Sequence, residues 1–406
     1  METMIEKGIT GLFENFLNKE SLFKEKKVLQ SSYTPSEITH RDEQIKQLAN
    51  ILAPALRTDK PSNVFLYGKT GTGKTLTAKY TTAQISKVAE ERDIPITILY
   101  LNCKLNKVAD TEYRLIAQMC RDLGRDIPAT GLPTEEIYRI FYAILEQKHQ
   151  VIIIILDEID QLVKKAGDGI IYNLTRVNSE LKQTQISIVG ISNDLLFTDN
   201  IDPRVKSSLS EEEIIFPPYN AIQLQEILHR RAKLAFKENV IGDGVIEKCS
   251  AYAAREHGDA RRALELLRVA GELTERAGKE KIDLEHIDEA EQKIERDRVL
   301  DIIKTQPKQQ QASLLAIVYI ASKRSDAIFT GDVYSLYLEI CEKIALRPLT
   351  QRRLSDIISE LDMLGIINAK VISKGRFGRT RDITIAVPTG LLPKIKALLE
   401  QALDLL

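Results

Sequence analysis

Residues Gly68-Lys69-Thr70-Gly71-Thr72-Gly73-Lys74-Thr75 set glycines, a lysine and a threonine hydroxyl at the spacing Gly-x-x-x-x-Gly-Lys-Thr. The glycines let the backbone curl so that successive N–H groups point at phosphate oxygens. Lys74 then reaches the β- and γ-phosphates of a nucleotide, and the Thr75 hydroxyl coordinates Mg²⁺. The apolar run Asn63–Gly68 reads as a strand leading into this loop. The pattern Thr75–Arg92 reads as a helix leaving it, with the positive end of its dipole at the phosphates. ATP or ADP with Mg²⁺ is the ligand these residue types imply.

Four further groups have types and places that suit the same ligand. Asp157 and Glu158 close the apolar run Val151–Leu156. A carboxylate at the C-terminal end of a central parallel strand faces the crevice that holds the phosphates. There Asp157 would hold the Mg²⁺ shell and Glu158 would polarise the attacking water; a solvated acidic strand end is the alternative. Asn193 ends the next strand and offers a neutral amide to the lytic water or the γ-phosphate, or is an ordinary turn residue. Within Asp202–Leu209, Arg204 suits either an arginine finger supplied to a neighbouring subunit or a surface ion pair. In Gly258–Leu264 the adjacent Arg261 and Arg262 point about 100° apart on a helix. One of them can therefore reach back to the nucleotide while the other stays in solvent, unless both are solvated.

These residues need a scaffold, and the periodicity supplies one. Candidate strands are Asn63–Gly68, Ile96–Asn102, Val151–Glu158, Ile186–Asn193 and Glu213–Phe216. Candidate helices between them are Thr75–Arg92, Thr111–Leu123 and Thr134–Lys148. Six consecutive apolar residues, Val151–Leu156, are what a parallel strand covered on both faces requires. Alternating strand and helix predicts an α/β core with a parallel sheet. After Pro217-Pro218 the pattern is wholly helical (Ala221–Glu238, Gly244–Glu256, Asp259–Ala277, Leu284–Lys304). Thr305–Gln311 is polar, contains proline, and reads as a linker or a helix start. Three helices (Ala312–Ser322, Gly331–Ala345, Gln351–Leu364) then precede a hairpin (Ile366–Ser373, Asp382–Val387) and a last helix, Leu392–Leu406. Helices followed by a hairpin are the order of a winged helix-turn-helix. The expected domains are a core at 1–218, an α-helical lid at 219–304 and a C-terminal winged helix at 305–406.

The chain has 406 residues, a net charge of −1 and 43% hydrophobic residues. It has no apolar run of 18 residues, so no membrane span is expected. Its first residues lack the pattern of a secretory signal. The four cysteines are scattered, which suits a reduced cytosol rather than disulfides or zinc. The charge balance excludes a globally basic nucleic-acid binder but not a local basic patch. One such patch is Lys370, Lys374, Arg376, Arg379 and Arg381, with no acidic residue from 370 to 381. A second is Arg352 and Arg353 in the first turn of the third C-terminal helix, behind a Thr350 cap. Two cations there oppose the helix dipole, so folding does not favour them, whereas DNA would. A solvated hairpin tip is the alternative for the wing.

The order of these motifs resembles the AAA+ ATPases, P-loop proteins with an α-helical lid. It resembles most the archaeal replication initiators related to the eukaryotic origin-recognition subunit and the helicase-loading cell-division-cycle protein. Tyr33–Arg41 is similar to the family's opening segment, with Ser36 and Thr39 as departures. Phe216–Leu224 is similar to its core-to-lid junction, and Lys374–Thr380 to its DNA-contacting wing. The resemblance spans roughly residues 20 to 400. It implies Walker roles for Lys74, Thr75, Asp157 and Glu158, sensor 1 for Asn193 and sensor 2 for Arg261. It places His40, Arg41 and Tyr219 near the adenine, and makes residues 103–130 a helical insertion that touches DNA in relatives. The implied function is an ATP-regulated initiator that binds double-stranded origin DNA and helps recruit or load the replicative helicase. Related initiator subunits would supply or receive the arginine finger, hydrolysis would be slow, and the protein would be cytoplasmic and nucleoid-associated. Other readings remain open: a nucleotide-gated transcriptional regulator, a signalling ATPase, or a clamp-loader-like ATPase, although 202–209 lacks the Ser-Arg-Cys finger of clamp loaders.

Overall fold

The structure, a computed structural model, describes residues 20–104, 111–128, 131–194, 197, 201–209, 212–323, 327–373 and 379–405. Two compact units divide between Ile287 and Asp288, a point inside the helix Leu284–Thr305.

The first unit is built on β1 (Val64–Tyr67), β2 (Ile96–Asn102), β3 (Gln150–Asp157), β4 (Thr184–Ser192) and β5 (Glu212–Ile215). They form one parallel sheet in the order β2-β3-β4-β1-β5. The apolar run of β3 explains the layering, because side chains alternate across a pleated strand. Ile152, Ile154 and Leu156 enter one core with Phe65, Leu101 and the helices Glu112–Asp122 and Thr134–Leu145. Val151, Ile153 and Ile155 enter the opposite core with Leu66, Ala78 and the helices Asp42–Leu52 and Lys74–Glu91. A strand buried on both faces in this way belongs in the interior of the sheet, between β2 and β4.

Register then fixes the chemistry. Tyr67 pairs with Ser192 and Asp157 with Ile191. The residues that follow these pairs (Gly68, Glu158 and Asn193) therefore leave the sheet at one edge. The first helix after the sheet, Ala221–Ala235, starts with a capping box: Asn220 Oδ1 accepts from the Gln223 N–H and Gln223 Oε1 from the Asn220 N–H. The helices Val245–Arg255 and Ala260–Ala277 pack beside it. The segment from Glu20 is held to these helices. Phe23 packs on Phe236 with ring centroids 4.7 Å apart, and Glu275 accepts from the Leu22 N–H at 2.8 Å.

The second unit contains the helices Lys308–Lys323, Thr330–Lys343, Gln351–Met363 and Leu392–Ala402. Its antiparallel sheet is β6 (Ile328–Phe329), β7 (Ile367–Ser373) and β8 (Arg379–Ile385), in the order β6-β8-β7. Tyr337, Leu354, Ile358, Ile367 and Ile383 share its core. Of the two readings of Thr305–Gln311, the helix start holds and the linker does not: a helix begins at Lys308, and Ile303 and Ala312 are buried in the same core on either side of the segment. Pro307 only interrupts the helices there, having no N–H to donate. Two strand details differ from the pattern reading. β8 starts at Arg379, before Asp382, because Arg379 pairs with Ser373. The two-residue β6 is too short to carry a period. Lys374 and Arg376 of the expected wing, and 105–110 and 129–130 of the expected insertion, lie outside the described residues.

Ile154 is fully buried. Replacing it with alanine is expected to cost about 2–5 kcal/mol of stability, read as a lower urea midpoint at unchanged slope. A shift below about 1 kcal/mol would contradict the two-faced burial of β3.

Candidate active site

Lys74 is 4% exposed, and its ammonium donates to Gly68 O at 2.7 Å, Lys69 O at 2.8 Å and Asn193 Oδ1 at 2.9 Å. The end of β4 thus holds the loop's cation directly. Burial is the main reason its pKa falls to about 8, and the nearby charge of Arg261 pushes the same way. A cation so placed is short of negative charge, which phosphates would supply.

Thr75 Oγ1 lies 3.0 and 3.2 Å from the Asp157 carboxylate oxygens. Hydroxyl and carboxylate oxygens, without a free imidazole or thiolate, are the donors that suit Mg²⁺. Cys103 lies close by, but burial pushes its thiol up to about 12. Glu158 takes a left-handed backbone, φ +57°, at the start of the helix Ile159–Ala166, and Lys104 Nζ stands 3.7 Å from its carboxylate. Buried Asp160 accepts from Ser192 Oγ at 3.1 Å and so ties this turn to β4.

The loop is backed by residues from both sides of the junction at 216–220. Arg41, 2% exposed, donates from Nε to Thr72 O at 2.8 Å and from a terminal nitrogen to Pro217 O at 2.6 Å. Its guanidinium lies 3.8 Å from the Tyr219 ring centroid. Two glycines are required by close approach. A Cβ on Gly73 (φ +91°) would lie 2.7 Å from the Tyr219 hydroxyl, and one on Gly71 (φ +74°) would lie 1.7 Å from Asp259 Oδ1. Asp259 caps the helix Ala260–Ala277 by accepting from the Arg261 and Arg262 N–H groups. The phosphate loop therefore packs against the very turn that carries Arg261.

A cavity of about 300 Å³ opens here, lined by Gly71, Gly73, Lys74, Thr75 and, beyond the loop, Asp157, Glu158, Asn193, Tyr219 and Arg261. Arg262 points elsewhere, its Nε 3.1 Å from the Glu256 carboxylate. His40 and Arg41 do not line this cavity; His40 Nε2 stands 3.0 Å from Glu226, off the line of a hydrogen bond. Gly68, Lys69, Thr70 and Thr72 do not line the cavity; Gly68 O and Lys69 O accept from Lys74, and Thr72 Oγ1 donates to Lys69 O. The far wall is residues 30–39 with Ile227, Leu234 and Leu264. Buried Arg231 secures it, donating to Val28 O at 3.1 Å and lying 4.5 Å from the Tyr33 ring centroid. Sequence reading missed Ile227, Arg231, Leu234 and Leu264, whose pattern is that of any amphipathic helix.

Arg204 is outside the cavity. It is exposed and pairs with Asp202 at 2.9 Å, holding that carboxyl down to about 2. In the second unit, Thr350 Oγ1 accepts from the Arg353 N–H at 3.4 Å, and Arg353 reaches Asp356 at 3.3 Å. Arg352, Ser355, Val371 and Arg381 line an open cavity of about 440 Å³, across which Arg381 Nε donates to Ser355 Oγ. Arg379 opens β8. No described helix is long and apolar enough to cross a membrane.

Phosphates beside Lys74 would raise its pKa above the free value near 8, so binding takes up a proton above that pH. Nucleotide affinity is expected to be highest below pH 8 and to fall as pH rises through it. Lys74→Arg should remove this slope in a pH series of titrations; an unchanged slope would contradict the assignment.

Three family descriptions match the chain. Residues 57–196 match the AAA domain, 225–292 the Cdc6 AAA+ ATPase-type lid domain, and 301–392 the CDC6 C-terminal winged helix domain. The ORC1-type DNA replication protein of Thermococcus onnurineus is 52% identical over 388 residues, covering 95% of this chain and 93% of that protein. ORC1-type DNA replication protein 1 of Methanosarcina acetivorans is 49% identical over 383 residues, covering 94% and 92%. The Aeropyrum pernix ORC1 protein, solved in complex with DNA, superposes with a TM-score of 0.82 at 41% identity, covering 94% of this chain and 98% of that one. Matched along nearly its whole length, the chain belongs to the ORC1-type DNA replication proteins, AAA+ ATPases that carry a Cdc6-type lid and a winged helix.

Proposed function

We propose that this chain initiates replication by binding double-stranded origin DNA under the control of its bound nucleotide, and that it helps recruit or load the replicative helicase. The observation that carries this reading is the 41% identity, over 94% of the chain, to a protein solved on DNA. The working parts are a core at 1–218, a lid at 219–304 and a winged helix at 305–406. Lys74 and Arg261 hold the β- and γ-phosphates, and Asn193 positions the γ-phosphate and the lytic water. Glu158 polarises that water. Thr75 and Asp157 hold Mg²⁺, which neutralises charge on the phosphates when bound. Because phosphoryl transfer is mostly positioning and charge stabilisation, the chain's own part is to aim these groups.

Hydrolysis is slow and regulatory in this scheme. Arg204 is engaged by Asp202 on the chain's own surface and completes the site of a neighbouring initiator subunit. Turnover per chain should therefore rise with protein concentration, and Arg204→Ala should abolish the rise while leaving nucleotide affinity intact. A concentration-independent rate would contradict the finger.

Arg352 and Arg353 meet the duplex from the start of the helix Gln351–Met363, while Lys374, Arg376 and Arg379 contact phosphates from the wing. Arg376→Ala with Arg379→Ala should weaken binding to an origin duplex and reduce the slope of log affinity against log salt by about 2. Unchanged affinity and slope would remove the wing from the scheme. Protection of promoters rather than origin repeats in footprinting would favour a transcriptional regulator.

A further inference from the structure

Tyr100 lies on β2, two residues before Asn102, whose register partner is Asp157. Its ring packs on the side of the sheet that faces the helix Lys74–Glu91, the side shared by Val151, Ile153 and Ile155. Asp157 follows these by the period of two and points to the same side. The Tyr100 hydroxyl donates to Asp157 Oδ2 at 2.6 Å. Lys79 comes one helical turn after Thr75 and sets its ammonium 4.0 Å from the Tyr100 ring centroid. The phenol is thus fixed between the helix that leaves the phosphate loop and the carboxylate that ends β3.

We propose that Tyr100 is a positioning residue for Mg²⁺: it anchors one oxygen of the Asp157 carboxylate so that the other is presented to the metal's coordination shell. The asymmetry is already present. Among the described residues, Oδ2 receives both Tyr100 and Thr75, whereas Oδ1 receives only Thr75, at the longer 3.2 Å. When Thr75 turns its hydroxyl oxygen to a metal, its hydrogen bond to the carboxylate is given up. Tyr100 is then the remaining side-chain donor to Asp157 among the described residues. Asp157 is 5% exposed, so a carboxylate without that donor would turn to satisfy the buried Oδ2 elsewhere. Such outer partners of a metal ligand orient it and commonly govern affinity. A strand tyrosine reads as a core aromatic, and the sequence gives no cue to this contact.

This inference rests on the assignment of Thr75 and Asp157 to Mg²⁺. The test is the affinity of the full chain for a fluorescent N-methylanthraniloyl-ADP, measured in EDTA and across a Mg²⁺ titration, for the unsubstituted chain and Tyr100→Phe. The expected result is unchanged affinity in EDTA and a rise of about tenfold or more in the half-saturating Mg²⁺ concentration. Tyr100→His keeps a donor on a shorter ring and should fall between the two; it also serves as the test if Tyr100→Phe folds poorly. An equal loss of affinity with and without Mg²⁺ would reduce Tyr100 to packing and overturn the proposal, as would an unmoved Mg²⁺ midpoint in either variant. Absence of any Mg²⁺ effect in the unsubstituted chain would overturn the metal assignment itself, and the tether with it.

Discussion

A buried ammonium is the constraint around which the first unit is organised. Taking a charge out of water costs several kcal/mol, and Lys74 offsets this with two loop carbonyls and the Asn193 amide. Those partners exist only because β1 and β4 are neighbours in register, Tyr67 beside Ser192. β3 must lie next to β4 for Asp157 to reach Thr75, and the two-sided burial of Val151–Leu156 places it there. The fold is thus a device for bringing three strand ends to one cation, which is left with spare positive potential.

The same loop carries the connection to the helices beyond it. Gly71 lies under Asp259, and Asp259 caps the helix that bears Arg261. Arg41 joins the loop at Thr72 to the junction at Pro217 and stacks on Tyr219. A nucleotide that shifts the loop by a fraction of an ångström therefore meets close contacts with Asp259 and Tyr219. Packed interfaces of this kind tend to switch between arrangements rather than deform smoothly.

Much of this was legible in the residues. Gly-x-x-x-x-Gly-Lys-Thr, the run Val151–Leu156 and the strand-end Asn193 locate the phosphate end, because their types are dictated by backbone curvature, two-sided burial and hydrogen-bonding capacity. Arg261 and Arg204 were legible as candidates only, since spacing does not say where a long side chain points. Arg204 in fact turns to Asp202. The far wall was the least legible part: residues 30–39 form irregular chain, and Arg231 is buried through carbonyls of Val28 and Tyr33 that lie far away in sequence. Tyr100 likewise gives no periodic signal. The strand β6 escaped notice because two residues cannot show alternation.

Nucleotide control of DNA binding is the central claim, and linkage makes it directly measurable. If the nucleotide state alters affinity for an origin duplex, the duplex must alter nucleotide affinity by the same factor. The decisive measurement is the affinity of the unsubstituted chain for one origin duplex, at fixed salt, with ATP, with ADP and without nucleotide. A nucleotide-controlled initiator should show a difference of about fivefold or more between states, mirrored in nucleotide affinity with and without the duplex. Equal affinities in all three states would contradict the claim, leaving the cavity at Lys74 and the winged helix as separate functions on one chain.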